Sequence, residues 1–177
     1  MPTQFETVIY LRASIDLPEV AASVFSALGG GECVSGNDPA LGGDFCRLTA
    51  LGLEGTVFAN EGEMEDEDFA DYPYGLGIVS TYLDPDLELA SAEGALSDYY
   101  ARLLAFTLDT EVATSFYLGG QDGVDLYEIR AFKRNPQYTP SAGPTVQRVY
   151  VSERRTVEYD AEVADEEFEA EAAYDDE

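Results

Sequence analysis

Apolar and polar residues alternate over several short stretches of the chain, whereas two longer stretches repeat their apolar residues at helical spacing. Residues 5–13 are rich in β-branched and aromatic side chains and predict a first strand. Asp16 is the predicted N-cap of a first helix, because Glu19 follows at capping-box spacing and apolar residues then recur at helical spacing up to Leu28. We expect this helix to be about ten residues long and to end at the three glycines 29–31.

The middle of the chain predicts three further strands. Residues 32–36 fit a short strand, residues 45–59 fit a longer strand interrupted by glycines, and residues 74–83 fit a third. A turn is predicted at 36–39, where glycine, asparagine, aspartate and proline follow one another. Residues 61–71, here called the acidic segment, separate the last two of these strands, and their density of like charges predicts a solvated loop.

A second helix is predicted over residues 92–109, where apolar side chains form a stripe along one face. Ser91 or Ser97 is its expected cap. Residues 112–118 and 124–133 then predict two strands joined by a glycine-rich hairpin loop. Because that loop leads into a strand and not into a helix, it is not predicted to bind phosphate.

The pattern divides the chain into three parts. Residues 1–135 predict a globular α+β domain, with a largely antiparallel sheet and two helices on one face. Residues 136–159 predict a linker and an appended strand, which either covers an edge of the sheet or extends outward. Residues 160–177 predict an acidic tail that is disordered in the free protein.

The charge balance restricts the class of partner. Acidic residues number 36 and basic residues 9, so the formal net charge is -27. Such a chain repels nucleic acid and anionic membranes, and it attracts basic proteins. If the acidity were an adaptation to high salt, the acidic residues would be spread evenly over the surface. Acidic residues that attract a partner would instead be clustered. The clustering in this sequence favours the attraction of a partner. The densest cluster consists of Glu61, Glu63, Glu65, Asp66, Glu67, Asp68 and Asp71.

The residues available for catalysis or metal binding are few. Histidine is absent, which excludes imidazole as a base, nucleophile or ligand. Cys33 and Cys46 do not form a CxxC pair, so we predict two buried thiols in a reducing cytoplasm, with a disulfide as the alternative. No apolar run is long enough for a bilayer, and no secretory signal is visible. We therefore expect a cytoplasmic protein that is not an enzyme and holds no metal or cofactor.

Aromatic residues accompany the acid in two places. Phe69 and Tyr72 flank the acidic segment, and Tyr159, Phe168 and Tyr174 punctuate the C-terminal carboxylates. Rings beside carboxylates suit a protein interface, because the rings supply buried area while the acids steer the partner. The alternatives are that the first two rings face the core and that the tail only aids solubility.

Three stretches resemble the small acidic immunity proteins of bacterial polymorphic-toxin systems. They are the strand and helix from Val8 to Leu28, the helical stretch Tyr99–Ala105 and the hairpin Phe116–Ile129. The resemblance implies a protein that inhibits a toxin, often a basic nuclease, by occluding it. The sequence thus predicts a non-enzymatic inhibitor of a basic protein. The alternatives are a nucleic-acid mimic that blocks a DNA-binding defence enzyme, and a structural or assembly protein of a salt-adapted organism or virus.

Overall fold

A single antiparallel sheet organises the computed structural model, which describes residues 3–30, 33–39, 43–50, 53–61, 66–83, 89–121 and 123–160. Eight strands, two α-helices and one short 3-10 helix lie within these residues. The strands are β1 Thr3–Arg12, β2 Cys33–Asp38, β3 Gly43–Ala50, β4 Leu53–Ala59, β5 Tyr74–Leu83, β6 Glu111–Gln121, β7 Val124–Arg134 and β8 Val149–Asp160. The helices are α1 Leu17–Ala27, α2 Leu89–Leu108 and the 3-10 helix Glu67–Phe69.

The strand order places the first strand near the middle of the sheet. The order is β2-β3-β4-β5-β1-β6-β7-β8, and every described neighbour pair is antiparallel. The apolar side chains of Ile9 and Leu11 are fully buried, as this central position requires. The predicted α+β class with a largely antiparallel sheet is confirmed.

Helix α1 forms for the reasons given by the sequence. The Asp16 carboxylate accepts the Glu19 backbone N–H at 3.0 Å, which is the predicted cap. Gly29 and Gly30 follow the helix with φ of 110° and 79°, a conformation that favours glycine, and so they end it. The buried face of the helix consists of Val20, Ala21, Val24 and Phe25.

Helix α2 starts earlier than its pattern predicts. Ser91 and Ser97 both lie inside it, so the prediction that one of them is the cap is wrong. The Ser97 hydroxyl instead lies 2.6 Å from the Thr7 hydroxyl, which ties the helix to β1. Both helices share one apolar cluster with the sheet and therefore cover the same face, here called the helical face. Neither described helix is both long and apolar enough to cross a bilayer.

Two predictions in the second quarter of the chain are wrong. The stretch 45–59 is a hairpin of β3 and β4, with Ala50 paired to Leu53, and not one strand. Gly36 lies inside β2, paired with Phe45, and not in a turn. The Phe45 ring covers it, with Cζ 2.5 Å from the position a Cβ would take. An aromatic ring that covers a strand glycine stabilises the pair, and β2 runs on to Asp38, which pairs with Gly43.

Strand β8 covers the edge of the sheet, one of the two arrangements considered for it. It pairs with β7 from Val124–Asp160 to Arg134–Val149. Val149 is buried against the main cluster, so β8 contributes to the core as well as to the hydrogen-bonded ladder. The tail from residue 161, including Phe168 and Tyr174, lies outside the described residues.

Candidate functional site

The cations of the chain are neutralised within the fold. In the part of the chain that the structure describes, eight of the nine basic side chains pair with carboxylates. The ninth, Arg148, lies over the rings of Phe106 and Tyr138, 5.5 Å from each centroid. The basic residues therefore add little positive potential to the surface, and the excess acid determines the field.

The second half of the acidic segment is docked against the sheet. Phe69 stacks on the Tyr10 ring at 3.9 Å, and Asp66 accepts the Tyr10 hydroxyl at 2.9 Å. Both contacts lie on the face of the sheet opposite the helices, here called the outer face. Asp66, Asp68 and Phe69 are thus not part of the solvated loop that the charge density predicts, and that prediction is wrong for them, whereas Glu67 and Asp71 are exposed.

Basic residues from distant strands make this docking possible. Arg155 on β8 reaches Asp68 at 2.6 Å and also donates to the Asp68 carbonyl. The Tyr159 hydroxyl donates to the same carboxylate at 2.5 Å. Arg12 on β1 pairs with Asp71 at 3.1 Å. Burial alone would raise the pKa of Asp68, but the hydrogen bonds from Tyr159 and Arg155 outweigh it and hold the pKa below its ordinary value.

The two rings that flank the acidic segment belong to the protein's own interior. Phe69 and Tyr72 are 3% and 7% exposed, so their predicted role as partner contacts is wrong for the folded domain. The Tyr72 hydroxyl donates to Glu111 at 3.1 Å and is buried with it. The alternative, that these rings face the core, is the arrangement observed.

Asn60 is the residue that holds the docked turn, and its only signal in the sequence is its place directly before the acidic segment. Its side-chain N–H groups donate to the carbonyls of Phe69 and Tyr72, each at 3.0 Å. Its side-chain oxygen accepts the Asp66 backbone N–H at 3.0 Å. Asn60 is 6% exposed, so it supplies three hydrogen bonds where water is excluded.

The other predicted contacts differ in their accessibility. Glu61 and Glu67 are exposed, and Tyr159 is 41% exposed. Glu63 and Glu65 lie outside the described residues. Among the described carboxylates of the segment, Glu61 and Glu67 are exposed, whereas Asp66, Asp68 and Asp71 fix the segment to the sheet.

A cleft opens where the two central strands part. Strands β1 and β6 pair only from Arg12–Glu111 to Ile9–Thr114. Beyond that point β1 continues along β5, and β6 continues along β7. The space between residues 6–8 of β1 and residues 115–118 of β6, here called the β1–β6 cleft, has a volume of about 840 Å³.

Tyrosine rings line the outer side of the β1–β6 cleft. The Tyr127 ring lies 5.3 Å from Tyr117 and 5.4 Å from Tyr159. Tyr117 is 51% exposed and donates to Asp125 at 3.2 Å. These rings present polar tips and apolar faces at one opening, an arrangement that suits protein contacts.

Carboxylates surround the same cleft. Glu6 lies on β1, Glu93 lies on α2, and Asp125 lies on β7. Burial raises the pKa of Glu93, and the nearby charge of Glu6 raises it further. Among the described residues that line the cleft, the cation is Arg130, and it is already paired with Glu128. The cleft is therefore a region of negative potential in which a cation from outside would be stabilised.

The sequence did not identify this cleft. Asp66, Phe69 and Tyr159 were singled out and do line it, whereas Glu6 and Glu93 were not. The alternation of aromatic and acidic residues along the 116–129 hairpin was the one available signal. That alternation does not predict a cleft, because the separation of β1 from β6 depends on tertiary structure.

Neither a family nor a metal is assigned by the remaining observations. Comparisons with protein-family models, curated proteins and solved structures find no match to this chain. Among the described residues, no three Cys, Asp or Glu side chains lie close enough to hold a metal ion.

The two cysteines differ in burial. Cys46 is buried as predicted, but Cys33 is exposed, and the two are not bonded to each other.

Proposed function

We propose that this protein is a non-enzymatic binding protein that captures and neutralises a basic protein in the cytoplasm. One observation carries the proposal: eight of the nine basic side chains pair with carboxylates of the fold, and among the described residues Glu6, Glu93 and Asp125, which no basic side chain pairs with, surround an open cleft edged by tyrosines. A basic surface on a partner would meet negative potential and aromatic contact area together. An inhibitor of the immunity type, which occludes a toxin, fits this chemistry.

Electrostatic attraction gives the proposal a kinetic signature. An acidic surface of this strength raises association rates by roughly 10 to 10³ over those of an uncharged pair, and salt removes the gain. Dissociation depends mainly on the contacts made after docking. Binding that survives at low salt and weakens steeply with added salt, chiefly through the association rate, is therefore expected.

The test is a pull-down from host lysate at about 50 mM and 500 mM salt, followed by binding kinetics with each purified captured protein. A basic protein retained at low salt, whose activity falls on binding, supports the proposal. A salt-insensitive partner, or one whose activity is unchanged, contradicts it.

Two further outcomes identify the alternatives. If DNA competes with this protein for the captured enzyme, the protein is a nucleic-acid mimic. If nothing basic is captured and the domain unfolds as salt is lowered, the charge is a salt adaptation and the domain is structural.

A further inference from the structure

We infer that the β1–β6 cleft receives an extended basic segment of the partner, which adds to the sheet as a strand beside β6. The inference rests on the proposed function, because it names the part of the basic partner that is bound. It is carried by the unpaired strand edges, by the carboxylates around them and by the size of the cleft.

The edges of the cleft expose backbone groups that strand addition would satisfy. The Val8 carbonyl points toward β6, since it accepts the Thr114 hydroxyl at 2.8 Å. In an antiparallel ladder alternate residues point to the same neighbour, so the peptide groups of Glu6, Ser115 and Tyr117 also face the cleft. None of these has a strand across from it within the described residues, because β1–β6 pairing stops at Ile9 and Thr114. Such edges accept extended peptides in strand addition.

The charge of the cleft selects among possible occupants. Glu6 and Glu93 repel each other, and a guanidinium or ammonium group between them would relieve that repulsion. A second copy of this chain carries the same net charge of -27, and residues 161–177 are also acidic, so both are repelled. Nucleic acid is repelled for the same reason. A basic segment of another protein is the occupant that the charges favour.

The dimensions fit a short peptide. Pockets that bind drug-sized ligands have volumes of roughly 300 to 1,000 Å³, and the cleft, at about 840 Å³, is as large as such pockets. Successive residues of a strand advance by about 3.3 Å and point to opposite faces. Side chains of the added strand would therefore alternate between Glu93, on the helical face, and the tyrosines on the outer face.

The first test uses a peptide as the probe. It is an acetylated, amidated hexapeptide of alternating arginine and valine, and its affinity for the full chain is measured by titration calorimetry at about 50 mM salt. Two matched peptides carry N-methyl groups on the arginine amides or on the valine amides, which removes backbone donors and keeps the charge. We expect at least tenfold weaker binding for one or both methylated peptides. Equal affinity for all three peptides, or no binding of the unmodified peptide, overturns the inference.

The second test places the peptide in the cleft. The Glu93→Gln variant should bind the unmodified hexapeptide at least threefold more weakly than the wild type. The matched control Glu19→Gln removes the same charge from an exposed site on α1 and should leave the affinity unchanged. Amide exchange at Ser115 and Tyr117 should slow when the peptide binds. Equal losses for the two variants, or unchanged exchange at these amides, overturn the inference.

The failure of this inference can be told apart from the failure of the proposed function. A captured basic protein that binds wild type and Glu93→Gln equally leaves the proposed function standing and overturns the cleft as its site. A hexapeptide that behaves as expected while no basic protein is captured supports the cleft and contradicts the proposed function.

Discussion

Replacing Asn60 by alanine tests whether the acidic segment is held by this one side chain. The substitution removes three hydrogen bonds, each with donor and acceptor 3.0 Å apart, from a site that is 6% exposed. It leaves two carbonyls and one N–H without their partner in the interior. A hydrogen bond of this kind contributes about 0.5 to 1.5 kcal/mol net, so the variant should lose about 2 to 4 kcal/mol of unfolding free energy. That is a large part of the roughly 5 to 15 kcal/mol that stabilises a typical domain.

Urea unfolding followed by circular dichroism measures this loss, and hydrogen exchange at Phe69 and Tyr72 locates it. The matched control is Asn37→Ala, which removes a single exposed hydrogen bond to Asp44 and should cost well below 1 kcal/mol. If Asn60→Ala costs no more than the control, or if exchange at the two aromatic residues is unchanged, the turn is not held by Asn60.

Two other predictions follow from the fold. The pKa of Asp68 is lowered in the folded state, so its contribution to stability is present at neutral pH and is lost as pH falls below about 4. The difference in unfolding free energy between the wild type and Arg155→Gln should therefore narrow from pH 7 to pH 3, and a constant difference would contradict this. Gly75→Ala should destabilise by about 1 to 3 kcal/mol, because its Cβ would lie 2.3 Å from the buried Phe58 ring. Gly77→Ala on the same strand is the control, since its Cβ would meet only a carbonyl at 4.0 Å, and similar losses in the two variants would refute the steric argument.

Local pattern was sufficient for much of the fold. The capping spacing at Asp16 and the glycines after α1 are interactions within a few residues, so the sequence predicted that helix almost to its ends. The split of 45–59 into β3 and β4 was missed, because both halves have the composition of strands.

The site was less predictable for a physical reason. A block of carboxylates is ordinarily solvated, and only the approach of Arg155 and Tyr159, which lie 87 and 91 positions from Asp68, makes docking favourable. The buried positions of Phe69 and Tyr72 follow from the same contacts. Local periodicity cannot identify contact partners that lie so far from Asp68 along the sequence.

The central position of β1 determines when the sheet can be completed during synthesis. Strand β1 leaves the ribosome before the other described strands, yet Leu11 pairs with Tyr74 on one side and with Val112 on the other. The hairpin of β3 and β4 needs only local contacts and can form early, whereas β1 waits until β5 and β6 have emerged. A nascent chain that stops before β8 also leaves β7, which carries the buried Ile129, as an open edge of the sheet. Chains truncated near residue 135 should therefore aggregate during expression. Pairing of β8 with β7 is the step that covers this edge of the newly synthesised domain.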